Sequence, residues 1–214
     1  MARLIAFGCS NTYGEGLVDC WDAIKKRPGN NPSQYAWPSV LGELLGVDTV
    51  INLAVPGASN KRIWYDAISF EYEENDIVFL HWTFLDRDCF FDSAPEIGPW
   101  KIKKDKISNF YYSYMHTTLD RQLDFFNRTD HMNRYLTSKN IKHYNFQTVG
   151  YSTAGNTFSN LVTTPIPKWC EVKFLSLSIL PQKDTALDNS HPGPISHRIF
   201  AEKVYAELIN TKEI

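Results

Sequence analysis

Long hydrophobic runs are missing from this 214-residue chain. The N-terminus offers only LIAF before polar loop residues, too short for the core of a signal peptide, and no stretch reaches the apolar length of a membrane span. A soluble, cytoplasmic protein with no membrane partner is therefore expected. Metal-binding patterns are missing as well. The four cysteines, Cys9, Cys20, Cys89 and Cys170, form no C-x-x-C pair, and no Cys/His cluster has zinc spacing. Reduced thiols and no metal are expected. There is no long basic stretch: net charge is −2, and the one lysine-rich patch, KIKKDK at 101–106, is interrupted by Asp105. That excludes the electrostatic footprint of a nucleic-acid binder. Internal repeats and low-complexity linkers are absent too.

What the chain does have is enough length for one sizeable core. Hydrophobic residues at 43% and charged residues at 21% are ordinary for a globular protein. The aromatic share of 14% is high, and aromatics both fill cores and line sites for sugars and other ring-shaped ligands.

Strand-like and helix-like segments alternate. RLIAF (3–7), DTVINLAV (48–55), DIVFLHW (76–82), IKHYNFQTV (141–149) and VKFLSLS (172–178) read as strands, the first as a short continuous apolar run of the kind buried on both faces. YAWPSVLGELLG (35–46) has helical spacing and ends at Gly46, a C-terminal cap. KRIWYDAISFEY and residues 109–139 also read as helical, the latter with Leu119, Leu123, Phe126 and Met132 buried. A last helix runs from Ile195 to Ile209. The stretch from Asp86 to Ser108 has little periodicity and reads as a long loop. Such alternation predicts a three-layer α/β/α fold with a mostly parallel five-stranded sheet, because parallel strands need crossover helices. One domain over 1–214 is expected, with a loop and helical insertion at about 86–140.

In such sheets ligands sit beyond the carboxyl ends of the strands. Three loops converge there: GCSNTYGEG, PGASN and WTFLDR. GCSNTYGEG has neither the lysine of a P-loop nor the third glycine of a dinucleotide fingerprint, so a nucleotide cofactor is not expected. A nucleophile there needs a base and an orienting carboxylate elsewhere. LDNSHPGP supplies Asp188 and His191, three residues apart just before the last helix. In a tight turn the pair points to one side, so the carboxylate can fix the imidazole tautomer while the second ring nitrogen faces a serine hydroxyl. The alternative is that Asp188 or Ser190 caps that helix.

These motifs resemble those of the SGNH, or GDSL-like, hydrolases. The first family motif, G-D-S-x-[ST]-x-G, stands as Gly8-Cys9-Ser10-Asn11-Thr12-Tyr13-Gly14, and D-x-x-H-P as Asp188 to Pro192. The glycine of the second motif matches Gly57 in NLAVPGASN. The resemblance implies a flavodoxin-like fold and hydrolysis of carboxylic esters by a Ser10-His191-Asp188 triad, without metal or cofactor. The substrate it implies is a small-molecule or carbohydrate ester. It also implies an oxyanion hole from the N–H groups of Ser10 and Gly57. Two positions depart from the pattern. Cys9 replaces the usual Asp, and reads as a small buried side chain. LHWTFLDRD lacks the asparagine of the third motif, G-x-N-D, leaving Thr83 or Asn60 as substitute donors. Arg62, Arg87 and Trp82 are candidates for binding substrate, the arginines through a carboxylate or phosphate. The aromatic stretch from Trp100 to Tyr114 reads either as a helix packed on the core or as a lid over the site. A non-catalytic glycan-binding or structural domain on the same fold is the alternative function.

Overall fold

The computed structural model describes residues 2–90, 97–98, 101, 104–148, 167–175 and 181–211. Its centre is a four-stranded, all-parallel sheet in the order β4-β1-β5-β6, made of β1 (Arg3–Phe7), β4 (Thr49–Asn52), β5 (Asp76–Trp82) and β6 (Lys142–Gln147). Four strands replace the five expected. The 172–178 segment lies where its strand was anticipated, because Phe174 makes a parallel bridge to Asn145 of β6. Only that bridge forms within the described residues, and 176–178 fall outside them.

Strand periodicity decides which helices cover which face. Leu4, Ala6, Phe79, Tyr144 and Phe146 point to one side, against α2 (Trp37–Leu45) and α6 (Pro194–Asn210). Ile5, Phe7, Val78, Leu80 and Trp82 point to the other, against α3 (Asn60–Ile68) and α5 (Thr118–Ser138). Both faces are covered, so β1 and β5 read as unbroken apolar runs. Trp37 anchors the first side, edge-on to Phe79, Phe146 and Phe200. Truncating so large a buried ring to alanine costs about 3–5 kcal/mol.

The chain leaves β1 through α2 to β4 on one side, then crosses through α3 to β5 on the other. The order reverses at β1, and the crevice at that switch point is where such sheets bind ligands. The loop that follows β1 is GCSNTYGEG.

Several helices match their sequence patterns. α2 ends at Gly46 in the left-handed region, and α3 is capped by the Ser59 hydroxyl, which accepts the Arg62 N–H. The register of α5 differs from expectation. Phe126 and Met132 are buried, but Leu119 and Leu123 are exposed, Leu119 at 56%. The buried residues of this helix are Gln122, Phe125, Phe126, Thr129, Asp130, Met132 and Leu136, one face at helical spacing. Ile195 is likewise exposed, while Val204 and Leu208 are buried. A small antiparallel pair, β2 (Trp21–Asp22) with β3 (Arg27–Pro28), was not anticipated.

Among the described residues after β5, Asp88 makes an antiparallel bridge to Ile97, before α4 (Lys106–Phe110) and a π-helical turn at Tyr111–Met115. Tyr111 and Tyr112 of the aromatic stretch are buried, Phe110 and Tyr114 exposed, and Trp100 lies outside the described residues. Among the described residues, no helix is long and apolar enough to cross a membrane.

Candidate active site

Beyond β1 the chain turns through Gly8 and Cys9 into a single helical turn, α1 (Ser10–Tyr13). Cys9 is its N-cap, with its thiol wholly buried in the core rather than facing the crevice. Its carbonyl accepts the N–H groups of Thr12 and Tyr13, both at 2.9 Å. The first N–H groups of a helix have no partner within it, and Ser10 begins this one.

Two polar contacts lock α1 onto the sheet. Thr12 Oγ1 lies 2.9 Å from His81 Nδ1, and His81 Nε2 lies 3.0 Å from Thr148 Oγ1. The buried His81 ring also stacks on Phe200, and burial pushes its pKa down to about 4, so the ring is neutral at physiological pH. Asn52, at the end of β4, donates to the Thr12 carbonyl at 2.7 Å and accepts the Ala54 N–H at 3.1 Å.

The Asp188 and His191 loop is built by a separate device. Asp184 reaches forward to cap α6, accepting the N–H groups of Ile195 and Ser196 at 3.0 and 2.8 Å and the Ser196 hydroxyl at 2.6 Å. Burial alone raises the Asp184 carboxyl, but these donors outweigh it and hold it below the usual range. Because Asp184 caps the helix, neither Asp188 nor Ser190 has to.

Asp188 is free to serve the loop. Its carboxylate lies 2.5 Å from His191 Nδ1 and accepts the N–H groups of Ser190 and His191, both at 3.0 Å. Burial pushes this carboxyl up, and the His191 ring with the two backbone donors pulls it net down, so it is ionised at neutral pH. Asn189 adopts a left-handed φ of 58° at the tip of this turn.

The two loops meet. The Leu187 N–H donates to the Gly16 carbonyl at 2.9 Å. Gly16 has a φ of +86°, and a Cβ there would stand 2.6 Å from the Asp188 carboxylate. Only glycine satisfies both conditions. Its neighbour Glu15 was missed by the sequence reading. Glu15 Oε2 lies 3.8 Å from His191 Nε2, so the ring stands between two carboxylates. Burial raises the Glu15 carboxyl, helped by Asp188 and opposed by His191 and Arg87. The available signal was an acidic residue between Gly14 and Gly16 in the loop after the first strand. No hydrogen bond joins Ser10 to His191 among the described residues. In ligand-free sites such contacts are often long and tighten with substrate bound.

The other two loops lie alongside. Val55 to Ala58 forms a type II turn, with Pro56 second, Gly57 at φ +81°, and the Ala58 N–H bonded to the Val55 carbonyl at 3.0 Å. Asn60 clamps the end of β5: its Oδ1 accepts the Thr83 N–H at 2.7 Å and its Nδ2 donates to the Thr83 carbonyl at 3.1 Å. The Thr83 hydroxyl is buried with no hydrogen-bond partner among the described residues.

Two candidates for substrate binding are engaged by partners of their own. Trp82 is fully buried among α3 and α5 side chains, and its indole N–H donates to Asn145 at 2.8 Å. Strand parity turns it into the core. Arg62 bonds Asp66 one turn along its own helix, at 2.7 and 2.8 Å. The guanidinium of Arg87 lies 4.8 Å from the Phe84 ring centroid, and its charge opposes the rise of the Glu15 carboxyl. Among the described residues, no group of three or more His, Cys, Asp or Glu side chains is placed to hold a metal ion.

No protein-family model matches the sequence, and no curated protein matches it. Solved structures do share its fold. A carbohydrate esterase whose active site is described as displaying divergent catalytic and non-catalytic binding functions has a TM-score of 0.61 at 11% identity, covering 97% of this chain and 68% of that one. The psychrotrophic esterase EstA from Pseudoalteromonas sp. has a TM-score of 0.54 at 11% identity over 99% of each chain. A protein of the G-D-S-L family from Desulfitobacterium hafniense DCB-2 has a TM-score of 0.51 at 14% identity, covering 96% of this chain and 99% of that one. The chain therefore has the α/β/α fold of the SGNH, or GDSL-like, esterases.

Proposed function

We propose that this protein hydrolyses carboxylic esters, with Ser10 as nucleophile, His191 as general base and acid, and Asp188 as the group that orients the ring. The supporting observation is the Asp188–His191 pair at 2.5 Å on a loop that packs against the Ser10 loop through Gly16. In this mechanism His191 Nε2 takes the Ser10 proton as the hydroxyl attacks the acyl carbon, and Asp188 stabilises the imidazolium. The ring then protonates the departing alcohol. Water, activated by the same ring, releases the acid and restores Ser10.

The tetrahedral oxyanion needs preorganised donors. In this reading the Ser10 and Gly57 N–H groups supply two of them. The third comes from Asn60 Nδ2, whose first hydrogen is engaged by Thr83 and whose second is still available, or from the unpartnered Thr83 hydroxyl. Either one would take the place of the asparagine missing from the third motif. An O-acetylated carbohydrate is the substrate we infer, from the esterase fold it shares with a carbohydrate esterase.

The test is acetate release from 4-nitrophenyl acetate and from acetylated sugars by the wild type and by Ser10→Ala. Loss of turnover in the variant supports the assignment, and equal rates in both proteins overturn it. A second reading, binding of an acylated glycan without turnover, is favoured by the absence of a Ser10–His191 hydrogen bond. It predicts saturable binding of the same sugars with no acetate released.

A further inference from the structure

The helix made by α4 and the π-helical turn after it is apolar on two opposite faces. Its inner face is fixed to the protein. Tyr111 donates to the Asp88 carboxylate at 3.1 Å, and Tyr112 donates to the Asp86 carbonyl. Asp88 also accepts from Arg121 of α5 at 2.7 Å, and the Arg121 guanidinium lies 5.8 Å from the Tyr111 ring centroid. Asp105 caps the helix, accepting the Ser108 N–H at 2.7 Å and the Ser108 hydroxyl at 2.8 Å. These contacts hold the segment as one body with the start of α5.

The outer face carries Ile107, Phe110 and Tyr114, in steps of three and four along one side, with Met115 at its end. Their exposures are 51, 57, 79 and 52%. The Phe110 and Tyr114 rings lie 5.1 Å apart, so they form one aromatic surface rather than scattered side chains. A helix that is apolar all round belongs in an interior, yet here one side faces solvent. Four such side chains present about 500 Å² of apolar area, at the upper end of what a monomer leaves uncovered. Lys106, Asn109 and Ser113 are exposed around them. With that polar rim the face approaches the roughly 800 Å² that each partner contributes to a stable protein interface.

The charges at its two ends select the occupant. Lys104 and Lys106 are exposed at the amino end, while Asp105 between them is engaged by Ser108. Beyond the carboxyl end Asp120 is exposed, its carboxylate accepting the Thr117 hydroxyl at 2.6 Å. An anionic lipid surface would attract one end and repel the other. A second copy turned antiparallel, about a two-fold axis through the Phe110–Tyr114 pair, sets each cationic end against an acidic one.

We propose that two copies of this protein dimerise through the outer face of this helix, with Phe110 and Tyr114 at the centre and Lys106 opposite Asp120 of the second copy. The inference does not rest on the esterase reading, since the face contains none of Ser10, Asp188 and His191.

The experiment is sedimentation equilibrium of the full chain over about 1–200 µM, for the wild type and three variants. Thermal melts show that each variant is folded, and the altered side chains all face solvent. The wild type is expected to associate as a dimer within that range. Phe110→Ser/Tyr114→Ser should weaken association at least about a hundredfold, because central aromatic anchors carry most of the energy of an interface. Lys106→Glu should weaken it about tenfold, and Lys106→Glu/Asp120→Lys should restore it to within about threefold of the wild type. A monomer at every concentration, or a dimer unmoved by the Phe110/Tyr114 variant, overturns the proposal. So does a Lys106→Glu defect that the exchanged pair fails to repair, because the antiparallel arrangement requires that rescue. A wild type that stays monomeric but sediments with vesicles of anionic phospholipid overturns it in favour of a membrane surface.

Discussion

His81 and His191 each stand between two oxygen-bearing partners, and the partners differ in kind. His81 lies between the hydroxyls of Thr12 and Thr148, stacked on Phe200 and sealed from solvent. His191 lies between the carboxylates of Asp188 and Glu15, with about a quarter of its side chain exposed. Burial with neutral partners disfavours a charged ring, whereas carboxylates stabilise one. One histidine is a strut that fastens the Ser10 turn to the sheet; the other is the one that, in the proposed mechanism, accepts and returns a proton. Their sequence contexts differ accordingly: His81 lies inside an apolar strand, and His191 in a polar turn before a helix.

The sharpest way to break this contrast is to remove the carboxylate that orients His191. Asp188→Asn is expected to lower kcat by about ten-thousandfold, because the wrong tautomer is then held toward the serine. The melting temperature should stay close to that of the wild type, so steady-state kinetics beside a thermal melt checks both halves of the claim. The converse change, His81→Ala, is expected to act on stability first. Loss of two buried hydrogen bonds and the stacked ring should cost about 3 kcal/mol, a fall in Tm of about 6–12 °C in a chain of this size.

His81 also makes a prediction about acid. Its folded pKa is pushed down to about 4, and burial pushes that of His197 down to about 3. As pH falls below about 6.5, the unfolded chain protonates these rings while the folded protein does not. Stability should therefore be fully present above that pH and decline toward pH 4, with His81 contributing on the order of 3 kcal/mol. Urea midpoints measured between pH 7 and 4 should show a shallower decline for His81→Gln; an identical slope would contradict a buried neutral ring.

Two smaller changes probe the His191 side. Gly16→Ala places a Cβ against the Asp188 carboxylate and should cost about a hundredfold in kcat, the scale of a misplaced catalytic group. Glu15→Gln should alter kcat/KM by roughly fivefold or less, the scale of a partly exposed ion pair, and remove one ionisation from the rate–pH profile. A larger loss would make Glu15 an essential group rather than a neighbour of one.

The sheet and its two end motifs were legible because their signals are local. β1 and β5 are apolar runs bounded by turn residues, α2 stops at a glycine, and Ser10, Asp188 and His191 sit in short patterns. What escaped depends on contacts between distant residues. Strand alternation sends Trp82 into the core and His81 to the opposite face, yet both follow the same apolar run. Leu119 and Leu123 fit a helical period with Phe126, but only packing on α3 and the sheet decides that Gln122 and Phe125 face inward in their place. Glu15 gains meaning only once the Asp188 loop folds back onto Gly16.

The helix cap made by Asp184 has a consequence for synthesis. By bonding Ile195 and Ser196, it closes residues 185–192 into a ring whose shape depends on α6 having formed. Synthesis runs from the amino end, so the Ser10 turn is made before the loop that carries Asp188 and His191. In the proposed mechanism, a nascent chain thus carries the Ser10 turn before its partner loop, and the two can meet only once α6 has been made and Asp184 has capped it.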